Sequence, residues 1–171
     1  MLRDGYSNFK FFQALVPQEI VATDLTGVAV DGQGFESLTM VVNVGRLSII
    51  SDVSYIKLIL QHTDASALGA GPSDYALVSA TDLIGLPDGT TALTSGVWKT
   101  IGATNVGVVA STLGSMTFAI GYRGTKRYVR LYVDCVGTVA LASDAVGAIA
   151  VLGYPANWPV NNNHDSIDYS E

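Results

Sequence analysis

The sequence feature that most constrains the fold is the strict alternation of apolar and polar residues from Tyr128 to Cys135. The apolar positions are Val129, Leu131, Val133 and Cys135, and the positions between them are Tyr128, Arg130, Tyr132 and Asp134. Side chains two residues apart on a strand project to the same face, so this pattern predicts a strand with one buried side. Residues 116–120 alternate in the same way, and Gly121 and Gly124 follow them. We predict a β-hairpin over residues 116–135, with positive φ at the two glycines.

The predicted hairpin also holds much of the positive charge of an acidic chain. The whole chain has 9 Lys and Arg residues against 15 Asp and Glu residues, a net charge of −6. Four of the basic residues fall in this one segment: Arg123, Lys126, Arg127 and Arg130. Two interpretations are open. The charges are either the solvated outer face of a core strand or a contact surface for an acidic partner.

The rest of the chain consists of short apolar runs separated by turns rich in Gly, Asp and Pro. Several of these runs alternate with period two, including residues 55–61, and no long stretch has helical periodicity. Many short strands at even spacing predict an all-β fold, an antiparallel β-sandwich of jelly-roll-like type. The predicted core residues are Ile56, Leu58, Leu60, Phe118, Ile120, Val129, Leu131 and Val133.

Three regions follow from the composition along the chain. Residues 17–154 are predicted to form the sandwich domain. Residues 1–16 are predicted to be an N-terminal arm carrying Phe9, Phe11 and Phe12, which either packs on its own domain or docks on a neighbour. Residues 155–171 contain prolines and an Asn run and are predicted to be an extended C-terminal tail, in which Trp158 is the candidate anchor.

The composition limits the classes of function. Only 14% of the residues are charged, against a usual ~25%, and a surface poor in charge suits burial against neighbouring subunits. No uninterrupted run reaches the ~18 apolar residues of a membrane-spanning helix. The negative net charge argues against sequence-independent binding of nucleic acid. Cys135 is the single cysteine, so we expect no intrachain disulfide, a buried thiol and synthesis in a reducing cytoplasm.

The residues that could perform chemistry are few. His62 and His164 are the two histidines, and neither has ligand-type neighbours at the spacing of a metal site. His62 and Asp64 could join a serine in a triad, but no Gly-x-Ser-x-Gly element supports one. We therefore expect no enzymatic activity, catalytic residue, metal or cofactor. Three tyrosines, Tyr122, Tyr128 and Tyr132, are either a platform for a sugar ring or ordinary outer-face residues.

Two motifs carry a resemblance to a known group of proteins. They are the segment Gly121 to Leu131, with sequence GYRGTKRYVRL, and the segment Ile59 to Asp64, with sequence ILQHTD. Together they resemble small structural proteins of tailed bacteriophages and of phage-like gene transfer particles. The similarity extends over roughly Val41 to Leu152. It implies a virion component, made in the host cytoplasm and located on the capsid surface.

The resemblance implies, most specifically, a capsid decoration (cement) protein. Such a protein would form a homotrimer and bind the outer surface of the major capsid protein shell, without contacting nucleic acid or membrane. A tail subunit, a head–tail joining subunit and a β-sandwich glycan-binding module are the alternatives. The residues expected at the interface combine aromatic anchors with basic side chains: Phe9, Phe11, Phe12, Lys126, Arg127, Arg130 and Trp158.

Overall fold

The computed structural model describes residues 8–21, 23–45, 53–65, 74–86, 96–102, 115–137 and 140–156. These residues contain eleven strands and a short 3₁₀ turn at Ala80–Asp82. The strands are β1 (Phe9–Val21), β2 (Leu25–Thr26), β3 (Val30–Asp31), β4 (Phe35–Val44), β5 (Tyr55–Thr63), β6 (Ala76–Leu77), β7 (Leu83–Ile84), β8 (Val97–Ile101), β9 (Met116–Tyr122), β10 (Tyr128–Val136) and β11 (Ala140–Pro155). The fold is therefore all-β in these ranges, as the sequence predicts.

The strands form two antiparallel sheets around one hydrophobic core. The front sheet has the order β1-β11-β4-β9-β7. The back sheet has β10 and β5 at its centre, with β2 and β3 on the free side of β10 and with β6 and β8 on the free side of β5. Buried residues from both sheets belong to a single core cluster. The predicted antiparallel β-sandwich is confirmed.

The alternation along β10 produces the core that the sequence predicts. Val129, Leu131 and Val133 are at most 1% exposed, and β10 pairs with β5 from Tyr128–Thr63 to Val136–Tyr55. The other predicted core residues that are buried are Ile56, Leu58, Leu60 and Ile120. Phe118 differs, because it lies at the margin of the core, partly buried, with Lys99 Nζ 5.1 Å from its ring centroid.

The predicted hairpin over residues 116–135 is wrong, although both of its strands exist. β9 pairs with β4 and β7 in the front sheet, whereas β10 pairs with β5, β2 and β3 in the back sheet. Residues 123–127, called the arch from here on, carry the chain from one sheet to the other. Gly121 and Gly124 do not have positive φ. Gly124 is needed for another reason, since a Cβ there would lie 2.6 Å from Cε2 of Tyr122.

The described part of the predicted N-terminal arm belongs to the sandwich. From Phe9 onward the chain forms β1, the edge strand that pairs with β11. Of the two alternatives for the arm, these residues take the one in which they pack on their own domain. The C-terminal boundary shifts as well, because Pro155 still pairs with Phe35 in β4. Trp158 and most of the predicted tail lie outside the described residues.

Candidate interaction surface

The arch is held to the back sheet by the basic residues expected at an interface. Arg127 binds Asp31 of β3 through two hydrogen bonds, Nε to Oδ1 at 3.0 Å and Nη2 to Oδ2 at 2.7 Å. Lys126 forms an ion pair with Asp64, and the Arg127 backbone N–H donates to the same carboxylate. Arg123 Nε donates to the Thr81 carbonyl at 2.8 Å. These contacts close one end of the sandwich.

The fourth basic residue is engaged on the outer face of the back sheet. Arg130 Nε donates to Gln61 Oε1 at 2.8 Å, and its guanidinium carbon lies 3.6 Å from the ring centroid of Tyr75. The guanidinium hydrogen bond from Arg127 lowers the pKa of Asp31, and the ammonium hydrogen bond from Lys126 lowers the pKa of Asp64. Lys126 and Arg127 are thus paired with carboxylates of their own chain, whereas Arg123 and Arg130 bond to neutral oxygens and keep their positive charge.

His62 and Tyr122 connect the two sheets beneath the arch. His62 Nδ1 and the Tyr122 hydroxyl are 2.9 Å apart, and the two rings meet edge to face at a centroid distance of 5.8 Å. The Tyr122 oxygen also accepts the Lys126 backbone N–H at 3.1 Å. Burial lowers the pKa of His62 and raises the pKa of Tyr122. The nearby Asp82 and Asp64 oppose the shift of His62, whereas Lys126 adds to it.

A pH dependence follows from this environment. The pKa of His62 is lower in the folded protein than its ordinary 6.5, so the unfolded chain takes up the proton first as the pH falls. The free energy of unfolding should therefore be larger at pH 7.5 than at pH 5.5, the loss beginning near pH 6.5. Urea denaturation at both pH values measures it.

The matched control for this pH effect is His62→Gln, which keeps a polar side chain that can bond Tyr122. The variant should lose less stability than the wild type between the two pH values. Asp31 and Asp64 do not interfere, because both carboxyl pKa values lie below 3.8. An equal loss in wild type and variant would show that another group titrates.

The three tyrosines considered as a sugar platform do not share a surface. Tyr122 is the last residue of β9, belongs to the core cluster and is 6% exposed. Tyr128 is also buried, with the Arg127 guanidinium carbon 4.9 Å from its ring centroid. The Tyr132 hydroxyl donates to Asp24 Oδ2 at 2.6 Å, which raises the pKa of Tyr132 to about 12. The structure therefore argues against a platform, and only Tyr132 fits the other interpretation of an outer-face residue, because Tyr122 and Tyr128 are buried.

The aromatic residues of β1 take two different positions. Phe12 packs against the core. Phe9 and Phe11 project outward and are 38% and 42% exposed. They stand at one border of a larger surface on the outer side of the front sheet. We call this surface the apolar face and define it by Phe9, Phe11, Val41, Ile84, Ile149 and Val151.

The apolar face crosses all five strands of the front sheet in two rows of paired residues. The first row is Phe11, Val151, Thr39, Gly121 and Ile84, and the second is Gln13, Ile149, Val41 and Ala119. Neither row contains a charged residue. Ile149 is 41% exposed and Ile84 54% exposed. Since polar residues normally cover the solvent-facing side of an antiparallel sheet, these two rows make an unusually apolar outer surface.

Large and small residues are segregated within each row. Large residues come from β1, β11 and β7, and the small ones, Ala119 and Gly121, come from β9. A Cβ at Gly121 would lie 3.2 Å from Cβ of Ile84, so glycine lets the β7 side chain lie against the sheet. Ile84 therefore covers Gly121, and the large side chains of β11 form a ridge in the middle of the apolar face.

The outer side of the back sheet has the opposite character. Lys57 and Asp134 form an ion pair of 2.8 Å there, in addition to the contacts of Arg130 and Tyr132. The two outer surfaces of the sandwich thus differ sharply. One carries ion pairs and charged hydrogen bonds, whereas the other has two central rows without charge beside a neutral hydrogen bond from Thr117 to Asn43.

The sequence interpretation did not single out Val41, Ile84, Ile149 and Val151. A signal was present, because residues 147–153 read Gly-Ala-Ile-Ala-Val-Leu-Gly, apolar at both odd and even positions. A strand with two apolar faces is typical of burial on both sides. Alternation identifies the inward face of a strand only where polar residues mark the outer face, and residues 147–153 contain no polar side chain.

The described part of the chain is an all-β sandwich with one closed end and one uncharged outer face. Within the described ranges, no group of three or more His, Cys, Asp or Glu residues could hold a metal ion. The same residues contain no helix that is long and apolar enough to cross a membrane. No protein-family model, no curated protein and no solved structure matches the chain.

Proposed function

We propose that the protein is a structural subunit of a virion, a decoration protein that binds the outer surface of the major capsid protein shell of a tailed phage or gene transfer particle. The observation that carries the proposal is the apolar face. A charge-free surface spanning five strands favours burial in an assembly. The reactive groups at the closed end, His62, Tyr122, Asp64 and Lys126, hydrogen-bond to one another.

The positions of the two resemblance motifs support the same proposal. Gln61, His62 and Asp64 come from the first motif, and they contact Arg130, Tyr122 and Lys126 of the second. The shared residues therefore close one end of the sandwich and fix the path of the arch. These contacts stabilise the fold, which suits a structural protein.

The chain path supports a jelly-roll type of sandwich. Successive strands alternate between the two sheets at nearly every connection, and β1-β11-β4-β9 faces the back sheet with β10 and β5 at its centre. Jelly rolls occur in viral capsid proteins and in lectins. The fold is compatible with a glycan-binding module too, but the three candidate tyrosines contact groups of their own chain rather than form a platform.

Particles made without this protein test the proposal. Purified protein added back should bind in hundreds of copies per particle and raise the temperature at which the shell ruptures. A stained gel measures the copy number, and dye uptake during heating measures rupture. If the copy number is only a few per particle, the tail and head–tail joining alternatives are favoured. An unchanged rupture temperature at full occupancy would contradict the cementing role.

Two truncations locate the contact with the shell. Deletion of residues 1–7 or 157–171 leaves β1 and β11 whole, whereas deletion of residues 1–12 would remove four residues of β1. We expect the deletion that includes Trp158 to lower occupancy, because an aromatic anchor adds a separate weak contact. Full occupancy by both truncated proteins would contradict a role for the terminal segments.

A further inference from the structure

We infer that Arg130, Tyr75 and Gln61 form a recognition site for a carboxylate, supplied by an Asp or Glu side chain of a protein partner. The site lies on the outer side of the back sheet, opposite the apolar face. It therefore goes beyond the proposed function and can be tested on the free protein. Three features support it: a guanidinium held in one position, a positive charge without a carboxylate beside it, and an exposed apolar neighbour.

The guanidinium of Arg130 is fixed by contacts that reach across three adjacent strands. Arg130 on β10 pairs with Gln61 on β5, and Gln61 pairs with Leu77 on β6, two residues after Tyr75. Gln61 Oε1 accepts from Nε at 2.8 Å, and the Tyr75 ring centroid lies 3.6 Å from the guanidinium carbon. Among the described residues, no group accepts from Nη1 or Nη2. Two N–H donors in a fixed orientation match the two oxygens of a carboxylate.

The positive charge of Arg130 has no carboxylate partner in the described part of the chain, where the ion pairs belong to other basic residues. Burial lowers the pKa of Arg130, and the groups that oppose this shift are Tyr75 and Tyr132. Both hydroxyls are neutral at pH 7. A cation that is partly removed from water without a counter-charge is unfavourable, and a carboxylate bound beside it offsets that cost.

A carboxylate within a protein fits this site better than a phosphate or a free small acid. The site offers one cation, and the net charge of −6 repels a dianion more strongly than a monoanion. A single charge-assisted contact binds a free carboxylate only weakly, at roughly tens of millimolar. Leu77 is 44% exposed in the neighbouring strand and adds apolar area beside the site. A partner protein can use both contacts, whereas acetate can use only the first.

Side-chain NMR of the full chain tests the inference, with the Nε–Hε signal of Arg130 as the readout. Sodium acetate should shift this signal along a saturating curve, whereas sodium chloride at the same ionic strength should not. The Nε–Hε signal of Arg123, which donates to the Thr81 carbonyl, is the internal control and should respond to both salts alike. Tyr75→Leu should weaken acetate binding about threefold, because the guanidinium loses the ring that holds it.

The peptide acetyl-Leu-Glu-Leu-amide tests the protein partner. It should bind about tenfold more tightly than acetate, because its leucines contact Leu77. Leu77→Ser should remove this gain and leave acetate binding unchanged, and the same peptide with Gln in place of Glu should not bind. Circular dichroism confirms that each variant folds.

Four results would overturn the inference: equal responses of Arg130 to acetate and chloride, a larger response to inorganic phosphate than to acetate, a Glu peptide that binds no more tightly than acetate, or equal binding of the Glu and Gln peptides. Particle occupancy is measured separately, so each of these results leaves the decoration proposal standing.

Discussion

Replacing Leu131 by alanine is expected to lower the free energy of unfolding by about 2–5 kcal/mol. Leu131 is 0% exposed and lies in the middle of β10, the strand that pairs with β5 on one side and with β2 and β3 on the other. Its removal leaves a cavity between the two sheets, where strands on both sides limit collapse. Urea denaturation followed by circular dichroism measures the loss.

Two control variants on the outer side of the back sheet separate this core effect from general sensitivity of the sheet. Thr26 is exposed and pairs with Tyr132, so Thr26→Ala should change stability little. Tyr132→Phe removes one hydrogen bond to Asp24 and should cost about 1 kcal/mol. If Leu131→Ala cost no more than Tyr132→Phe, the assignment of the buried face of β10 would be wrong.

Replacing Gly27 by alanine is expected to lower the free energy of unfolding by about 3 kcal/mol. Gly27 N–H donates to the Leu131 carbonyl, and Val28 N–H donates to the Ala14 carbonyl, each at 2.8 Å. A Cβ at residue 27 would lie 2.9 Å from the Leu131 oxygen and closer still to the Ala14 oxygen. Both obstacles are backbone atoms of different sheets, so relief requires breaking one of these hydrogen bonds.

Gly34→Ala is the control for this second prediction. Gly34 has φ of 86° with nothing within 4 Å of the added Cβ, so its cost is backbone strain alone, about 1 kcal/mol. We expect Gly27→Ala to be clearly the more damaging of the two. Thermal unfolding of both variants gives the comparison. Equal midpoints would mean that the packing of Gly27 against Ala14 and Leu131 is looser than the structure shows.

The contacts at the closed end of the sandwich explain why the sequence alone does not decide the role of the basic residues. Arg127 and Asp31 are 96 residues apart, and Lys126 and Asp64 are 62 apart. A pattern within one strand carries no information about such distant partners. The sequence therefore left a solvated outer face and a contact surface for an acidic partner open, and it did not predict that Lys126 and Arg127 pair with carboxylates of their own chain.

The apolar face changes which residues are of functional interest. Phe9 and Phe11 were expected at an interface as part of an N-terminal arm, and the structure places them in the edge strand of a sheet. Their neighbours Ile149 and Val41 come from strands far away in the chain. The rows form because consecutive strand pairings, four in the first row and three in the second, bring these residues side by side.

The sequence by itself determined the fold class, most of the strands and the inward residues of β5 and β10. These properties depend on alternation between neighbours, which is local and survives whatever the strand pairs with. Only the tertiary structure decided the pairing partners. β9 and β10 are joined by five residues, yet they lie in different sheets. Their inward faces read the same in a hairpin or across a sandwich, so long-range packing alone settles which one forms.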